Sequence, residues 1–527
     1  MAAPLPSTPR RSAWPALLFL LVLWEVAGQA QWVGQGALPA PSAIARQWMA
    51  DRADYPAHVW GTLRTALGGF VIGNTVAVIL GVLFARWRVL DRLMAGVNVS
   101  LFAMPAIALV PILVIALPGD GPRVALAALS VYYPTMVATV LGLTQVDRRL
   151  VDLVHVYGGG ELAVLRRVRL RSGLPAVLAG LRIAAPAAVL GSLLAEFGSG
   201  GNAGLGTYLI GSLGRADPAR LWGIGLTATA ISALAYGCAD LAARRFAGNT
   251  GSVSMPLGFQ APAAGGTRAA HVAVRIGALV MPFLLWWLVV AGFQALGVSE
   301  IVLRGPAGVL DHLITGDGAS ENRDVLLGAL GETLPSTLLG MLAGLAVALA
   351  LAVGTTVFPA LGRALLPLAL VTQSMPLVAL TPLVVLVFGR GTGCILVITV
   401  SVTFFPAFVA IAQGLALVPP GATDFVRACG ANRWQQLRLI SLPWAVPYLC
   451  AAARLAAPRA FLGVMIAEWL ATGTGIGNLL NVSRGMLDFG MIWSVAAVAI
   501  LIAVAIHSAV AALERRVLQR HAMAPAA

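Results

Sequence analysis

One segment of this chain occurs twice, and that constrains the fold more than any other feature. The stretch DFVRACGANRWQQLRLISLPWAVPYLCAAARLAAPRAF from Asp424 aligns without a gap on DLVHVYGGGELAVLRRVRLRSGLPAVLAGLRIAAPAAV from Asp152. Gly158 falls on Gly430, Leu170 on Leu442, Pro175 on Pro447, Arg182 on Arg454 and Pro186 on Pro458. Each copy is a polar, Arg-rich stretch set between long apolar segments. Such self-similarity marks a repeat architecture. A polar loop kept twice between apolar segments predicts a paired docking surface, one per half, and a partner with two-fold character.

The apolar segments define the medium. Of 527 residues, 59% are hydrophobic and 11% charged, and the mean hydropathy is +0.87. A soluble domain carries roughly a quarter charged residues. Runs of about 20 apolar residues, enough to cross a hydrocarbon core, recur along the whole length. The pattern predicts an all-α polytopic membrane protein, since a barrel would show short alternating strands. The first half gives six spans, at roughly 14–33, 58–85, 95–117, 122–145, 174–198 and 220–243. The second gives six more, at roughly 274–297, 325–357, 366–388, 393–416, 446–471 and 491–512. Between them, Ala247 to Gly266 is rich in Gly, Ser, Ala and Pro and reads as a flexible linker. The expected organisation is therefore a first repeat over 1–246, a cytoplasmic linker over 247–273 and a second repeat over 274–527. The polar loops lie at about 147–173 and 419–445.

Six spans per half is an even number, so the two repeats enter the membrane in the same orientation. Arginines fix the direction. Arg86, Arg88, Arg92, Arg148, Arg149, Arg166, Arg167, Arg169 and Arg171 share one side with Arg244, Arg245, Arg427, Arg433, Arg438, Arg515, Arg516 and Arg520. The other side holds fewer, such as Arg46, Arg52, Arg215, Arg304 and Arg484. Both termini are expected in the cytoplasm.

The net charge of +14 comes from arginine, with no lysine in the chain. Because the arginines flank apolar spans, they read as topology signals and not as a nucleic-acid footprint. Without lysine the chain cannot build a phosphate-binding P-loop, so any ATP it uses is bound by a separate polypeptide. The four cysteines, Cys238, Cys394, Cys429 and Cys450, have no metal-ligand spacing and predict neither metal nor disulfide. No cofactor is expected. Ala27 to Ala30 could pass for a signal-peptidase site, but the run Trp14 to Val26 matches Ile276 to Val290 deep inside the chain. A retained first span is the expectation.

The repeated loop carries the strongest functional signal. It enters on an acid, Asp152 or Asp424, turns at Gly158 or Gly430, and continues as a short amphipathic segment. In the second copy Trp434, Leu437, Ile440 and Leu442 alternate with Arg433, Gln435, Gln436 and Arg438. Apolar residues about three apart mark a helix with one sticky face. Pro443 and Pro447 are expected to end it ahead of a membrane span. A lone copy would read equally as an interfacial helix; two aligned copies favour protein docking.

This loop resembles the EAA motif of binding-protein-dependent ABC importer permeases. The second copy fits through Asp424, Arg427-Ala428-Cys429, Gly430-Ala431, Ile440 and Leu442-Pro443, with Asp424 where the family usually has Glu. The first copy departs more, with Gly158-Gly159 for Gly-Ala and Arg171 in the place of Pro443. Met375-Pro376 through Pro382, then Phe388-Gly389-Arg390-Gly391, is similar to the third-span signature of the nitrate, sulfonate and taurine permeases. Met104-Pro105 through Pro111 is its first-half counterpart. The resemblance implies a fused, duplicated permease, not an enzyme, in a bacterial inner membrane. It also implies two ABC ATP-binding subunits below and a periplasmic or lipid-anchored solute-binding protein above. The solute would be a small anion such as a sulfonate, taurine or nitrate, or a vitamin precursor. In the family the EAA loop is the ATPase-coupling helix, so Gly158 and Gly430 would set its geometry. Arg427, Arg433 and Arg438 would make its contacts.

Glu196 and Glu468 are acids inside the fifth-span patterns, which makes them functional candidates by default. Solute contact, an outer gate or a structural pair are the roles open to them, with Met104, Pro105, Met375 and Pro376 as further pathway candidates. Glu25 in the first span has Leu288 opposite it in the other repeat. The G-x-x-x-G pairs Gly69/Gly73 and Gly340/Gly344 read as packing between spans. Trp24, Trp286, Trp287, Tyr132 and Tyr133 read as interfacial anchors. Two other classes remain. A secondary transporter with parallel halves would want several buried charges. A membrane enzyme would want a nucleophile with its base, or a metal cluster, and no such motif is seen.

Overall fold

The computed structural model describes residues 14–33, 36–215, 217–247, 268–295, 297–358 and 377–520. The described residues are helical with no strand. Nine of their helices are long and apolar enough to cross a membrane. In the first repeat these are Tyr55–Arg86, Gly121–Thr144, Glu161–Ser199 and Pro218–Phe246. In the second they are Val272–Ala295, Ala319–Val357, Thr392–Ala416, Arg433–Thr472 and Phe489–Arg520. The expected first span is the 16-residue helix Trp14–Gln29, below that length threshold. The expected linker over 247–266 falls almost wholly outside the described residues, and the helix after it starts at Arg268. The expected span 366–388 lies partly outside them too, Met375 and Pro376 included, leaving Leu377–Phe388.

The span expected at 95–117 is not one straight helix. It is two, Arg88–Ala103 and Ala106–Ala116, meeting at 98°. Pro105 has no N–H to donate and bars the helical conformation from the residue before it. Met104 accordingly stands at ψ 124° and Pro105 at ψ 109°. The bend lays the second limb along the seam between the repeats, where Val110 keeps to its own repeat's core with Leu126 and Ala195. Ile107, Ala108 and Ile112 share a core with Met465, Trp469, Ile476 and Ile492. From the other side, Leu383 reaches into the first repeat's core with Leu193, Leu205 and Leu221. Val384, next to Leu383, stays in the second repeat's core with Ile398 and Val464, so both third spans lie in the seam and brace the repeats against each other.

Within each repeat the second span packs on the fourth at the glycine pairs. A Cβ on Gly69 would lie 2.3 Å from Ala127 Cβ, and one on Gly73 would lie 2.4 Å from the Ala128 carbonyl oxygen. On Gly340 it would lie 2.4 Å from Thr399 Cγ2, and on Gly344 1.9 Å from Thr403 Oγ1. Only a residue without a side chain admits such an approach.

Candidate functional site

Each polar loop folds as a short helix, a tight reversal and a second helix. The first helices are Arg148–Val156 and Pro420–Ala428. Asp147 starts one of them by accepting a 2.9 Å hydrogen bond from the Arg149 N–H. Both end in the same hydrogen-bond pair. The Gly158 N–H donates to His155 O and the Gly159 N–H to Val154 O, at 2.9 and 2.8 Å. In the second copy Gly430 donates to Arg427 O and Ala431 to Val426 O, at 2.9 and 3.2 Å. This is the Schellman closure, which needs a left-handed residue just past the helix end. Gly158 at φ 75° and Gly430 at φ 84° supply it. Past the reversal, Asn432 and Gln435 form a capping box, with bonds of 2.9 and 2.8 Å. The first copy has Gly160 there, and its Glu161 lies 3.7 Å from His155 and 3.9 Å from Arg169.

The reversal leaves an exposed tip. Val156 and Tyr157 are 83% and 84% exposed in the first knob, and Phe425 is 71% exposed in the second. Asp152 and Asp424 are exposed, and Arg427 holds Asp424 at 3.4 Å. Arg438 is exposed, while Arg433 reaches back to donate to Val357 O at 3.4 Å and so ties its knob to the second span.

The expectation that prolines end the loop helix does not hold. From Glu161 to Ser199 the helix is continuous over 39 residues, and from Arg433 to Thr472 over 40. Each carries one wide π turn, at Leu165–Arg169 and Leu437–Ser441, where Leu170 and Leu442 donate to Leu165 O and Leu437 O. The same turn occurs with Arg171 or Pro443 following, so Pro443 does not create it. Pro443 directly follows the wide turn, at the second position of the α-helical stretch Leu442–Ala467.

At the far end of the same helices sit the two carboxylates, both buried: Glu196 is 0% exposed and Glu468 1%. Thr62 Oγ1, from the second span, donates to Glu196 at 3.1 Å, and Thr333 Oγ1 donates to Glu468 at 2.8 Å. Each threonine also accepts a backbone N–H, from Leu205 at 2.9 Å and from Ile476 at 3.0 Å. The next N–H donors, Gly206 and Gly477, bond the carboxylates directly at 2.8 and 3.0 Å. Those amides begin the helices Leu205–Leu213 and Gly475–Gly485. A carboxylate there satisfies free N–H groups and meets the positive end of the helix dipole. Each Glu thus clamps three elements: second span, fifth span and the helix after it.

The clamps differ in their surroundings. Ser192 also donates to Glu196 at 3.2 Å, and the buried Arg123 gathers the loop behind it by donating to Ala203 O at 2.7 Å and to Gly200 O. In the second repeat the packing register, Ala127 under Gly69 and Thr399 under Gly340, puts Ile395 in the place of Arg123, and a second acid, Glu332, accepts from the Gly475 N–H at 2.6 Å. Beside the first clamp Tyr208 stacks on His58 at 4.5 Å, and burial, aided by Asp51, raises its phenol above the ordinary range. Sequence reading found both carboxylates and missed Thr62, Thr333, Ser192 and Arg123. The available signal was the Thr-Leu pair repeated at 62–63 and 333–334. Met104 and Pro105 stand at the bend of the third span.

The described residues contain no cluster of His, Cys, Asp or Glu able to hold a metal ion.

The chain is similar to several known transport proteins. It is 32% identical to the riboflavin transport system permease protein of Chloroflexus aurantiacus over 29% of this chain and 58% of that one. The chain therefore spans little more than half of that relative. It is 30% identical to the formylaminopyrimidine transport permease protein of Halalkalibacterium halodurans, over 37% of this chain and 78% of the relative. The taurine transport system permease protein of Escherichia coli is 27% identical over 48% and 90%. A family profile matches twice, over residues 73–250 and 344–519, one match per repeat. With two profile matches covering most of its length, each containing one knob and one clamp carboxylate, the chain belongs to the binding-protein-dependent transport system inner membrane components, as a duplicated permease and not a catalytic subunit.

Proposed function

We propose that this chain forms the whole translocation pathway of an ABC importer, with its two knobs seated in two ATP-binding subunits. The observation that carries the proposal is the continuity of the two long helices. Each begins at an exposed knob and ends at a buried carboxylate clamp. At 1.5 Å per residue, such a helix is about 60 Å long. When two ATP-binding subunits close, their sockets approach, and a rigid lever of that length transmits the movement to the opposite face. Rigid-body rotation of two repeats then changes which side of the pathway is open. Gly158 and Gly430 shape the knobs; Val156, Tyr157 and Phe425 fill the sockets, with Arg427 and Arg438 at the rim.

In this reading the repeats are joined by a cytoplasmic linker over 248–267, shorter than the 247–273 expected because a helix begins at Arg268, and both termini lie in the cytoplasm, on the arginine-rich side. A periplasmic or lipid-anchored binding protein delivers the solute opposite. The relatives named for riboflavin, formylaminopyrimidine and taurine support a small organic anion or a heterocyclic vitamin precursor as cargo. The test is mild-detergent purification of the tagged chain from its native membranes, with mass spectrometry of accompanying proteins. A co-purifying chain with a P-loop lysine, and uptake that requires ATP, is expected. A chain that purifies alone, with uptake that collapses with the proton gradient, would refute the proposal in favour of a secondary transporter.

A further inference from the structure

Opposite the knobs, one cation bridges the two repeats. Arg484 ends the helix Gly475–Gly485 in the second repeat. Its Nη1 donates to the carbonyl oxygen of Gly198 in the first repeat's fifth span. Its Nη2 donates to Asn481 Oδ1 at 3.3 Å, and the guanidinium lies 5.4 Å from the Trp469 ring centroid. Among the described residues no carboxylate pairs with it. A half-buried cation without a counter-ion is unfavourable unless it is used.

Its acceptor explains the choice of residue. Gly198 lies one residue before the end of the helix Leu170–Ser199. The last carbonyls of a helix have no partner within it and form its negative end. Arg484 caps that end from the other repeat. Next to the contact, a small apolar pocket is closed by Val110, Leu194 and Phe197 of the first repeat with Trp469 and Leu470 of the second. The two fifth spans meet there. The contact is made once. The repeat alignment puts Leu213 in the place of Arg484, and Leu470 in the place of Gly198. A single bond to a neutral carbonyl, steadied by an aromatic face, can break and re-form in each cycle. A buried ion pair resists that far more strongly.

We propose that Arg484 is the latch that holds the pathway shut at the face away from the knobs. It is a positioning residue, acting on the seam between Phe197 and Leu470, and the inference rests on the importer reading above.

The test is the rate at which a membrane-impermeant maleimide labels Val110→Cys, corrected for the chain lacking that cysteine, in intact cells and in inverted vesicles. It needs neither an ATP-binding subunit nor cargo, so it can fail while the co-purification above succeeds, and the reverse. Arg484→Gln is expected to speed labelling about tenfold, the size of shift that losing one differential contact gives a two-state equilibrium. Arg484→Lys, which keeps the charge and one donor, is expected to fall between. A cysteine at Leu143, buried at the other end of the fourth span, stays protected in all three chains. Equal Val110→Cys rates in Arg484→Gln and the unmodified latch, in both preparations, would overturn the proposal. So would a rise shared by the Leu143→Cys control, which would make Arg484 a general support of the fold. The preparation in which the rise is seen tests the orientation separately.

Discussion

At the scale of single residues, the knobs depend on two backbone conformations. Gly430 holds φ 84°, and a Cβ there would meet nothing within 4 Å. A substitution is therefore penalised by strain and not by collision, about 1–3 kcal/mol for a bulky residue held in the left-handed region. Gly430→Val is expected to leave the protein abundant in the membrane while abolishing uptake and releasing ATP hydrolysis from it. Transport assays on vesicles with matched protein amounts check this, and normal uptake would remove the docking role. The clamps give a second prediction. Thr333→Val removes one donor from a fully buried carboxylate and one acceptor from the Ile476 N–H. The expected loss is about 1–3 kcal/mol, the cost of stranding a buried polar group, visible as a lower unfolding temperature in detergent. Gly430, Glu196 and Glu468 were legible from sequence because each is anomalous alone: a glycine in a repeated turn, or an acid in an apolar run. Thr62 and Thr333 were not, since threonine is unremarkable in a span and their carboxylates lie 134 and 135 residues away.

At the scale of elements, the long helices unite what the sequence divides. Composition changes sharply between the Arg-rich loop and the apolar span, so two elements were expected with prolines at the join. Backbone hydrogen bonding does not follow composition, and one helix crosses the boundary with only a π turn to mark it. The third span shows the converse. Its hydropathy is uninterrupted, yet Pro105 breaks it through sterics that a hydropathy pattern does not register. The glycine pairs were read correctly because close helix packing has a local signature. Gly344→Leu would drive a side chain into Thr403. It is expected to destabilise the chain by about 1–3 kcal/mol, the usual range for overpacking, and thermal unfolding beside Gly331→Ala, an exposed position with open space, checks it.

At the scale of the whole molecule, the third spans, each packed into both repeats' cores, make the two repeats one body. The duplication was legible in the aligned loops, but the shared packing was not, because the burial of Ile112 in one core with Ile492 leaves no trace in a local pattern. Cutting the chain at a protease site placed within 248–267 is therefore expected to leave both fragments co-purifying in mild detergent. Separation of the fragments would contradict a shared core. Fusion also fixes the number of knobs at two, with unlike tips, Val156-Tyr157 against Ala428-Cys429. The most direct test of the account is native mass spectrometry of the complex drawn from its own membranes. The account predicts one copy of this chain with two ATP-binding chains, and the loss of both when Gly158→Val and Gly430→Val are combined. A complex that keeps its ATP-binding chains with both knobs distorted, or a chain that carries none, would contradict it.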